Sequence, residues 1–163
     1  MDDIINALLI EDNDSDIKMT ESLLTKYKNV KLKITSTLVD SMNELGMRQY
    51  DVILLDLNLP DSTGLSTFIE LNKFTNGEDS INKNIPVLIL TSTMNTSMAL
   101  EALKIGAQDW MVKGEVNGNL HRAMTFAATR HTAKREAKER LEDYITHQFA
   151  KIKNDFAGMM TNY

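Results

Sequence analysis

Cysteine is absent from the 163 residues of this chain, which excludes disulfides, thiolate nucleophiles and cysteine-based metal sites. A chain without cysteine is consistent with a reducing compartment. The N-terminus, MDDIIN, lacks the basic and apolar regions of a secretory signal. No apolar run approaches the length of a membrane span. We therefore expect a soluble, cytoplasmic protein without a membrane partner.

An excess of positive charge is also lacking. The chain has 23 acidic and 18 basic residues and a net charge of −5, which does not favour a nucleic-acid partner. Apolar residues make up 42% of it, as is ordinary for a globular core. The length allows one domain and an additional segment.

Five short apolar runs alternate with helix-like segments. Continuous apolar character is typical of strands buried on both faces of a parallel sheet. This alternation predicts an α/β fold with a doubly wound sheet and right-handed crossovers. The runs are Ala7–Ile10, Leu32–Thr35, Val52–Leu55, Val87–Leu90 and Trp110–Val112.

The segments between these runs carry apolar residues at helical spacing. Gly46 and Gly106 lie near the ends of the second and fourth predicted helices. The polar, turn-rich stretch 74–86 predicts a long surface loop before the fourth strand. The residues that mark the helices are Ile17, Leu24 and Tyr27, then Met42 and Leu45, then Leu65, Phe68 and Ile69, then Ala99, Ala102 and Leu103.

Proline is absent beyond residue 118, and Gly158 is the only later glycine. This segment predicts one long helix, or a helix with a break, that begins near residue 117. Its middle, 129–143, is highly charged, and the pairs Glu136–Arg140 and Lys138–Glu142 support a solvated helix. We expect a globular domain over residues 1–128 and a helical extension over 129–163.

An apolar seam follows this charged segment. It recurs at spacings of four and three residues, and it is formed by Leu141, Ile145, Phe149, Ile152, Phe156 and Met159. Two copies could bury the seam as a coiled coil, although the spacing 141–145–149 breaks a strict heptad. The same face could instead dock in a groove of this or another protein. We favour a homodimer.

Polar side chains follow the predicted strands where ligands bind in open α/β sheets. Glu11 and Asp12 follow the first strand, and Asp56 ends the third. Clustered carboxylates favour a hard cation such as Mg²⁺. Asp56 could then accept a phosphoryl group as a nucleophile. Lys113 and the Thr91 hydroxyl, after the fifth and fourth strands, would stabilise charge on the phosphoryl oxygens.

Four stretches in this order, LLIEDND, VILLDLNLPDSTG, VLILTS and GAQDWMVKGE, resemble the receiver domains of two-component response regulators, the CheY-like family. The resemblance covers nearly all of residues 5–118. It implies a flavodoxin-like five-stranded sheet of order 2-1-3-4-5. It also implies that Asp56 is the phosphoacceptor. The implied Mg²⁺ ligands are Glu11, Asp12, Asp56 and the backbone carbonyl of Asn58, with Asp12 the more direct of the acidic pair.

The resemblance further implies Lys113 as the family lysine and Thr91 as the switch hydroxyl. Trp110 stands where the family has its switch aromatic, usually tyrosine or phenylalanine. Gly114 departs from the family pattern, which commonly has a proline there, often after a cis peptide. Pro60 and Gly64 match the turn after the phosphoacceptor strand.

Simpler explanations exist for single residues. Asp56 could begin a turn, Glu11 and Asp12 could be a helix N-terminal charge pair, and Lys113 could be a surface lysine. Thr91 could be a strand-end hydroxyl, and Trp110 could only pack in the core. Asn13, Asp14 and Ser15 are better explained as caps of the first helix than as ligands, and His121, His131 and His147 as helix-surface residues.

A strand that ends in an acid also occurs in haloacid-dehalogenase-type phosphatases. Those enzymes need a second aspartate two residues later as a general acid. Asn58 occupies that place here, which weakens the hydrolase interpretation.

The sequence therefore predicts a response regulator rather than an enzyme with a separate substrate. A sensor histidine kinase or phosphotransfer protein would phosphorylate Asp56, and the receiver would catalyse its own phosphorylation and dephosphorylation. The added charge would change the surface of the fourth helix, fifth strand and fifth helix, and then the C-terminal helix. The alternative is a phosphorelay intermediate, or the receiver front end of a truncated effector or hybrid protein that acts through its helix.

Overall fold

A computed structural model describes residues 3–160 of the chain. The chain divides into two compact units, residues 1–131 and residues 132–163. Unit one contains every strand between residues 3 and 160, and the described part of unit two is helical. The sequence places the domain boundary after residue 128, and this boundary stays a prediction.

Five parallel strands in the order β2-β1-β3-β6-β7 form the main sheet. This is the predicted flavodoxin-like fold and strand order, which is confirmed. Strands β1, β3 and β6 are almost wholly buried, because helices cover both faces of the sheet. The strands are β1 (Ile5–Ile10), β2 (Val30–Thr35), β3 (Val52–Asp56), the short β4 (Asn58–Leu59) and β5 (Ser62–Thr63), β6 (Val87–Thr91) and β7 (Asp109–Val112).

The helices alternate with the strands of the main sheet as the sequence predicts. Side chains of Asn13, Thr37 and Asn95 accept backbone N–H groups at the starts of α1, α2 and α4. Asn13 alone caps α1, whereas Asp14 and Ser15 are its first helical residues. The helices are α1 (Asp14–Leu24), α2 (Leu38–Met47), α3 (Leu65–Thr75), α4 (Thr96–Lys104) and α5 (Asn119–Met160), with a short 3₁₀ helix over Lys113–Glu115.

Two hydrophobic cores lie on opposite faces of the sheet. Helices α2, α3 and α4 pack on one face, with Phe68 fully buried at its centre. Helix α1 and the first turns of α5 cover the other face through Leu24, Leu120 and Met124. Alternate residues of each central strand point to alternate cores, so these strands need apolar side chains at nearly every position.

Three details differ from the predicted helix faces. Ile69 and Leu103 are exposed rather than facing the sheet. Tyr27 lies beyond the end of α1. His121 is half-buried and stacks on Tyr27 with ring centroids 3.4 Å apart, so this histidine packs between elements rather than lying free on a helix surface.

The predicted loop before β6 begins after Thr75 and is more tightly anchored than a surface loop. Asn82 is buried, and its amide donates to the carbonyl oxygens of Leu45 and Arg48 at 2.7 and 2.8 Å. Its Oδ1 accepts the backbone N–H of Tyr50 at 2.8 Å. This side chain therefore satisfies three backbone groups, one in the last turn of α2 and two just after it.

The described part of unit two is a single polar helix whose apolar seam is exposed. Every residue of the predicted seam, including Phe149 and Phe156, is exposed. The predicted pairs Lys138–Glu142 and Glu136–Arg140 form at 3.6 and 3.9 Å, although such exposed pairs add little stability. None of the helices between residues 3 and 160 combines the length and apolar character that a membrane-spanning segment needs.

A buried hydrogen bond between Tyr50 and Glu44 generates a prediction on stability. Tyr50 Oη donates to Glu44 Oε1 at 2.6 Å. Burial and this carboxylate raise the pKa of Tyr50 to about 12. We expect Tyr50→Phe to lower the free energy of unfolding at pH 7 by about 1.5–3 kcal/mol. Denaturant unfolding measures this loss.

The raised pKa also fixes the sign of the pH dependence. The contribution of Tyr50 is fully present below the pKa of an unfolded tyrosine, about 10, and is lost as pH rises towards 12. The stability of Tyr50→Phe should therefore fall less over that range. The exposed Tyr144→Phe is the control, and an equal alkaline loss in both variants would contradict the prediction.

Candidate phosphoacceptor and metal site

The acidic cluster is formed where two neighbouring central strands end. Ile10 pairs with Leu55, so Glu11, directly after β1, lies next to Asp56, the last residue of β3. One carboxylate oxygen from each of Glu11, Asp12 and Asp56 lies within 4.8 Å of the others. The structure thus brings together the three acids that the sequence predicts.

The three carboxylates differ in their environment. Glu11 and Asp56 are 1% and 6% exposed, whereas Asp12 is open to solvent. Burial raises the pKa of Glu11, and the charge of Asp56 adds to this, against the hydrogen bonds from Lys113 and the Asn13 N–H. A cation near these oxygens would relieve the repulsion.

The donor set fits a hard divalent cation. Carboxylate oxygens are the ligands that Mg²⁺ prefers, and one or two carboxylates suffice because the ion keeps several waters. Both oxygens of Glu11 already accept hydrogen bonds, from Asn13 N and Lys113 Nζ. The carboxylate of Asp12 has no hydrogen bond to any residue in the described range, so it is the most available direct ligand.

Lys113 carries the positive charge of the site. Its Nζ lies 2.5 Å from Glu11 Oε2, 2.7 Å from Asp16 Oδ2 and 3.3 Å from Asp56 Oδ2. Burial alone would lower the pKa of this ammonium, but the hydrogen bonds to Asp16 and Glu11 and the charge of Asp56 raise it overall. Lys113 therefore stays protonated beside Asp56.

The segment after Asp56 is held in a fixed turn. Asp56 Oδ1 accepts the backbone N–H of Asn58 at 3.2 Å. The Gly64 N–H closes the hairpin on the Leu57 carbonyl at 2.8 Å, and Gly64 has a φ of 69°, which other residues adopt only with strain. This explains why the predicted turn contains glycine there.

Asp61 connects that turn to the neighbouring helix. Its two carboxylate oxygens accept the N–H groups of Leu38 and Val39, both at 2.9 Å. Burial, the largest single effect, would raise the pKa of Asp61, but the backbone hydrogen bonds together outweigh it and lower the pKa. Sequence reasoning missed this role, because the helix start lies more than 20 residues earlier in the chain.

Thr91 ends β6 beside the acidic cluster. Asp56 pairs with Leu90 across β3 and β6, which makes Thr91 the next residue on the adjacent strand. Its hydroxyl is bonded within its own loop, since it donates to the Thr93 carbonyl at 3.2 Å. The predicted switch hydroxyl therefore lies near the acidic cluster but is hydrogen bonded to Thr93.

Trp110 lies on β7, the last strand of the sheet. It is half-buried against the core under α2, α3 and α4. Its Nε1 is buried without a hydrogen-bond partner in the described chain. Gly114 follows Lys113 in the 3₁₀ helix, and all described peptide bonds are trans, so this loop lacks the cis peptide often found in the family.

Asp16 is a further site residue that sequence reasoning missed. It contacts Lys113 from the first turn of α1, although the sequence places the two residues 97 positions apart. Its position in the first turn of the helix that follows β1, four residues after Asp12, was the available signal.

Comparisons with known proteins agree with this geometry. Residues 7–125 match the family model described as the response regulator receiver domain. The regulatory protein LuxO of Vibrio cholerae is 30% identical over 105 residues, which are 64% of this chain and 21% of LuxO. The chain thus spans about a fifth of the length of that curated relative.

Solved structures show the same fold. The receiver domain of a LuxO repressor protein from Vibrio parahaemolyticus superposes with a TM-score of 0.68 at 21% identity, covering 82% of this chain and 97% of that one. A receiver domain of a sensor histidine kinase from Pseudomonas aeruginosa has a TM-score of 0.64 at 20% identity, over 77% and 98% of the two chains. That structure has a magnesium ion coordinated in its active site cleft.

The carboxylate cluster generates a prediction on metal binding. We expect Mg²⁺ to raise the midpoint of thermal unfolding, because an ion held only by the native state stabilises it. Asp12→Asn should weaken Mg²⁺ binding by about tenfold or more, since it removes the most available charged ligand. Thermal scans over a Mg²⁺ titration measure both effects.

Asp79→Asn is the matched control, because Asp79 is exposed on the loop before β6. This control should bind Mg²⁺ as the unmodified chain does. Equal Mg²⁺ affinities for the two variants would contradict the assignment of Asp12 as a Mg²⁺ ligand.

Proposed function

This chain belongs to the response regulator receiver family of two-component systems, and from that premise we propose that Asp56 accepts a phosphoryl group from a sensor histidine kinase or phosphotransfer protein. The observation that carries the proposal is the buried carboxylate of Asp56, 3.3 Å from the ammonium of Lys113 and close to two further acids. A cytoplasmic location, without a membrane or nucleic-acid partner, is part of this proposal.

The proposed step is a phosphoryl transfer to oxygen. A carboxylate oxygen of Asp56 attacks the phosphorus of the donor's phosphohistidine, and an O–P bond forms as the P–N bond breaks. The imidazole nitrogen keeps the bonding electrons and takes up a proton. Lys113 neutralises charge on the phosphoryl oxygens, and water later hydrolyses the acyl phosphate. In this proposal the chain is a phosphoacceptor that catalyses only its own phosphorylation and dephosphorylation.

Mg²⁺ is the proposed cofactor. Asp12, Asp56 and the backbone carbonyl of Asn58 would hold it, with Glu11 alongside, and its charge would compensate the phosphoryl oxygens. The carboxylates that lie within 4.8 Å of one another support this proposal, as does the magnesium in the related P. aeruginosa receiver.

Thr91 and Trp110 are the proposed switch residues. The phosphoryl group would draw the Thr91 hydroxyl away from its 3.2 Å bond to Thr93, and Trp110 would move further inward. Trp110 lies on β7, which pairs with β6, the strand that ends in Thr91, and this adjacency supports the proposal. The surface of α4, β7 and α5 would then change, and with it the C-terminal helix.

Self-association through the seam is the proposed output. Ile145, Phe149, Ile152, Phe156 and Met159 follow the alternating four and three spacing of a coiled coil, and all five are exposed. Two copies that pair along this face would bury these side chains. The same segment of both chains supplies the complementary surface, which favours a homodimer over a different partner.

The phosphoryl transfer is tested by intact mass after incubation with Mg²⁺ and acetyl phosphate. We expect the mass of one phosphoryl group to be added to the unmodified chain and to be absent from Asp56→Asn. An adduct on both proteins would place the acceptor elsewhere. A chain that binds Mg²⁺ but gains no mass would contradict the proposal.

The seam is tested by light scattering of the full chain over a concentration series. We expect Phe149→Ser to shift the protein towards monomer, because it removes a large apolar side chain from the centre of the seam. Tyr144→Ser is the matched control, since Tyr144 is an equally exposed aromatic residue outside the seam. A dimer that survives Phe149→Ser unchanged, or a chain that is monomeric throughout, would contradict dimerisation through this face.

A further inference from the structure

Asp16 is a carboxylate of the site to which the proposed chemistry assigns no role. An acid in the first turn of a helix ordinarily interacts with the free backbone N–H groups there. The side chain of Asn13 already accepts those of Ser15 and Asp16. Glu11 Oε1 accepts the N–H of Asn13. The carboxylate of Asp16 instead lies 2.7 Å from Lys113 Nζ.

The distances rank the three partners of the Lys113 ammonium. Glu11 and Asp16 accept hydrogen bonds from it at 2.5 and 2.7 Å. Asp56 is an ion-pair partner at the longer distance of 3.3 Å. Lys113 is therefore held most closely by the two acids that are not the proposed phosphoacceptor. The third N–H of the ammonium is left for Asp56, so a closer contact with anionic oxygens bound there would draw Nζ away from one of the other two acids.

Asp16 is the partner that Lys113 can release at the lower cost. The side chain of Glu11 is 2% exposed, so water could not replace the ammonium as the partner of its Oε2. The side chain of Asp16 is 33% exposed, so water can solvate it once the ammonium has left. An exchange between Asp16 and the phosphoryl group is thus the accessible rearrangement.

We infer that Asp16 is a positioning residue that competes with the phosphoryl group on Asp56 for the ammonium of Lys113. This inference rests on the proposed function. The Lys113–Asp16 contact stabilises the unphosphorylated state, and a ligand at Asp56 has to displace it. The more molecules have the Lys113–Asp16 contact, the weaker is the apparent affinity for that ligand, because only molecules without the contact bind it fully.

The test uses the full chain at saturating Mg²⁺ and titrates beryllofluoride, a non-covalent phosphoryl analogue, by ¹⁹F NMR. We expect Asp16→Asn to bind the analogue more tightly by about threefold to tenfold, because Lys113 no longer has a charged competitor. Asp16→Ala should show the same gain and serves if the first variant folds poorly. A merely structural role at the start of α1 would weaken binding instead.

Asp14→Asn is the matched control. Asp14 is exposed in the same helical turn, and its substitution removes the same charge. The affinity of this variant for beryllofluoride should therefore stay within about twofold of that of the unmodified chain. Asp16 variants that bind the analogue no more tightly than this control would overturn the inference alone. An unmodified chain that does not bind beryllofluoride would instead contradict the proposed function.

Discussion

The ammonium of Lys113 lies in a nearly closed site, and the arrangement around it follows from the need to balance its charge. A buried cation is tolerated only when it is paired and hydrogen bonded. Glu11 and Asp56 are buried as well, and without Lys113 they would oppose each other through repulsion alone. The charge balance therefore joins the ends of three strands, β1, β3 and β7, at one point, and Asp16 adds the first turn of α1.

The parallel sheet makes this convergence possible. All five strands run in one direction, so the residues that follow β1, β3, β6 and β7 meet at the same edge. The register brings Asp56 next to Glu11 on one side and Thr91 on the other. Helices cover both faces of the sheet, and Glu11, Asp56, Thr91 and Lys113 are buried polar residues at this edge. The carboxylate of Asp56, the proposed phosphoacceptor, is thereby held at the end of a buried strand.

The two units of the chain gain stability in different ways. Unit one buries two apolar cores against its sheet. The described helix of unit two has exposed ion pairs and an exposed seam, and neither contributes much to a single helix in water. The proposed self-association would bury that seam and would thereby stabilise this helix.

The sequence by itself determined the five strands of the main sheet, the helices between them and the polar residues at the edge of that sheet, but not the short strands β4 and β5. Continuous apolar runs such as Val52–Leu55 are local signals, and the topology rules place their carboxyl ends together. Only the tertiary structure decided which side chains meet across the chain. Asp16 reaches Lys113, Asp61 caps α2 and Asn82 satisfies the end of α2. Local periodicity carries no information on such partners, because they are set by packing between segments that lie far apart in sequence.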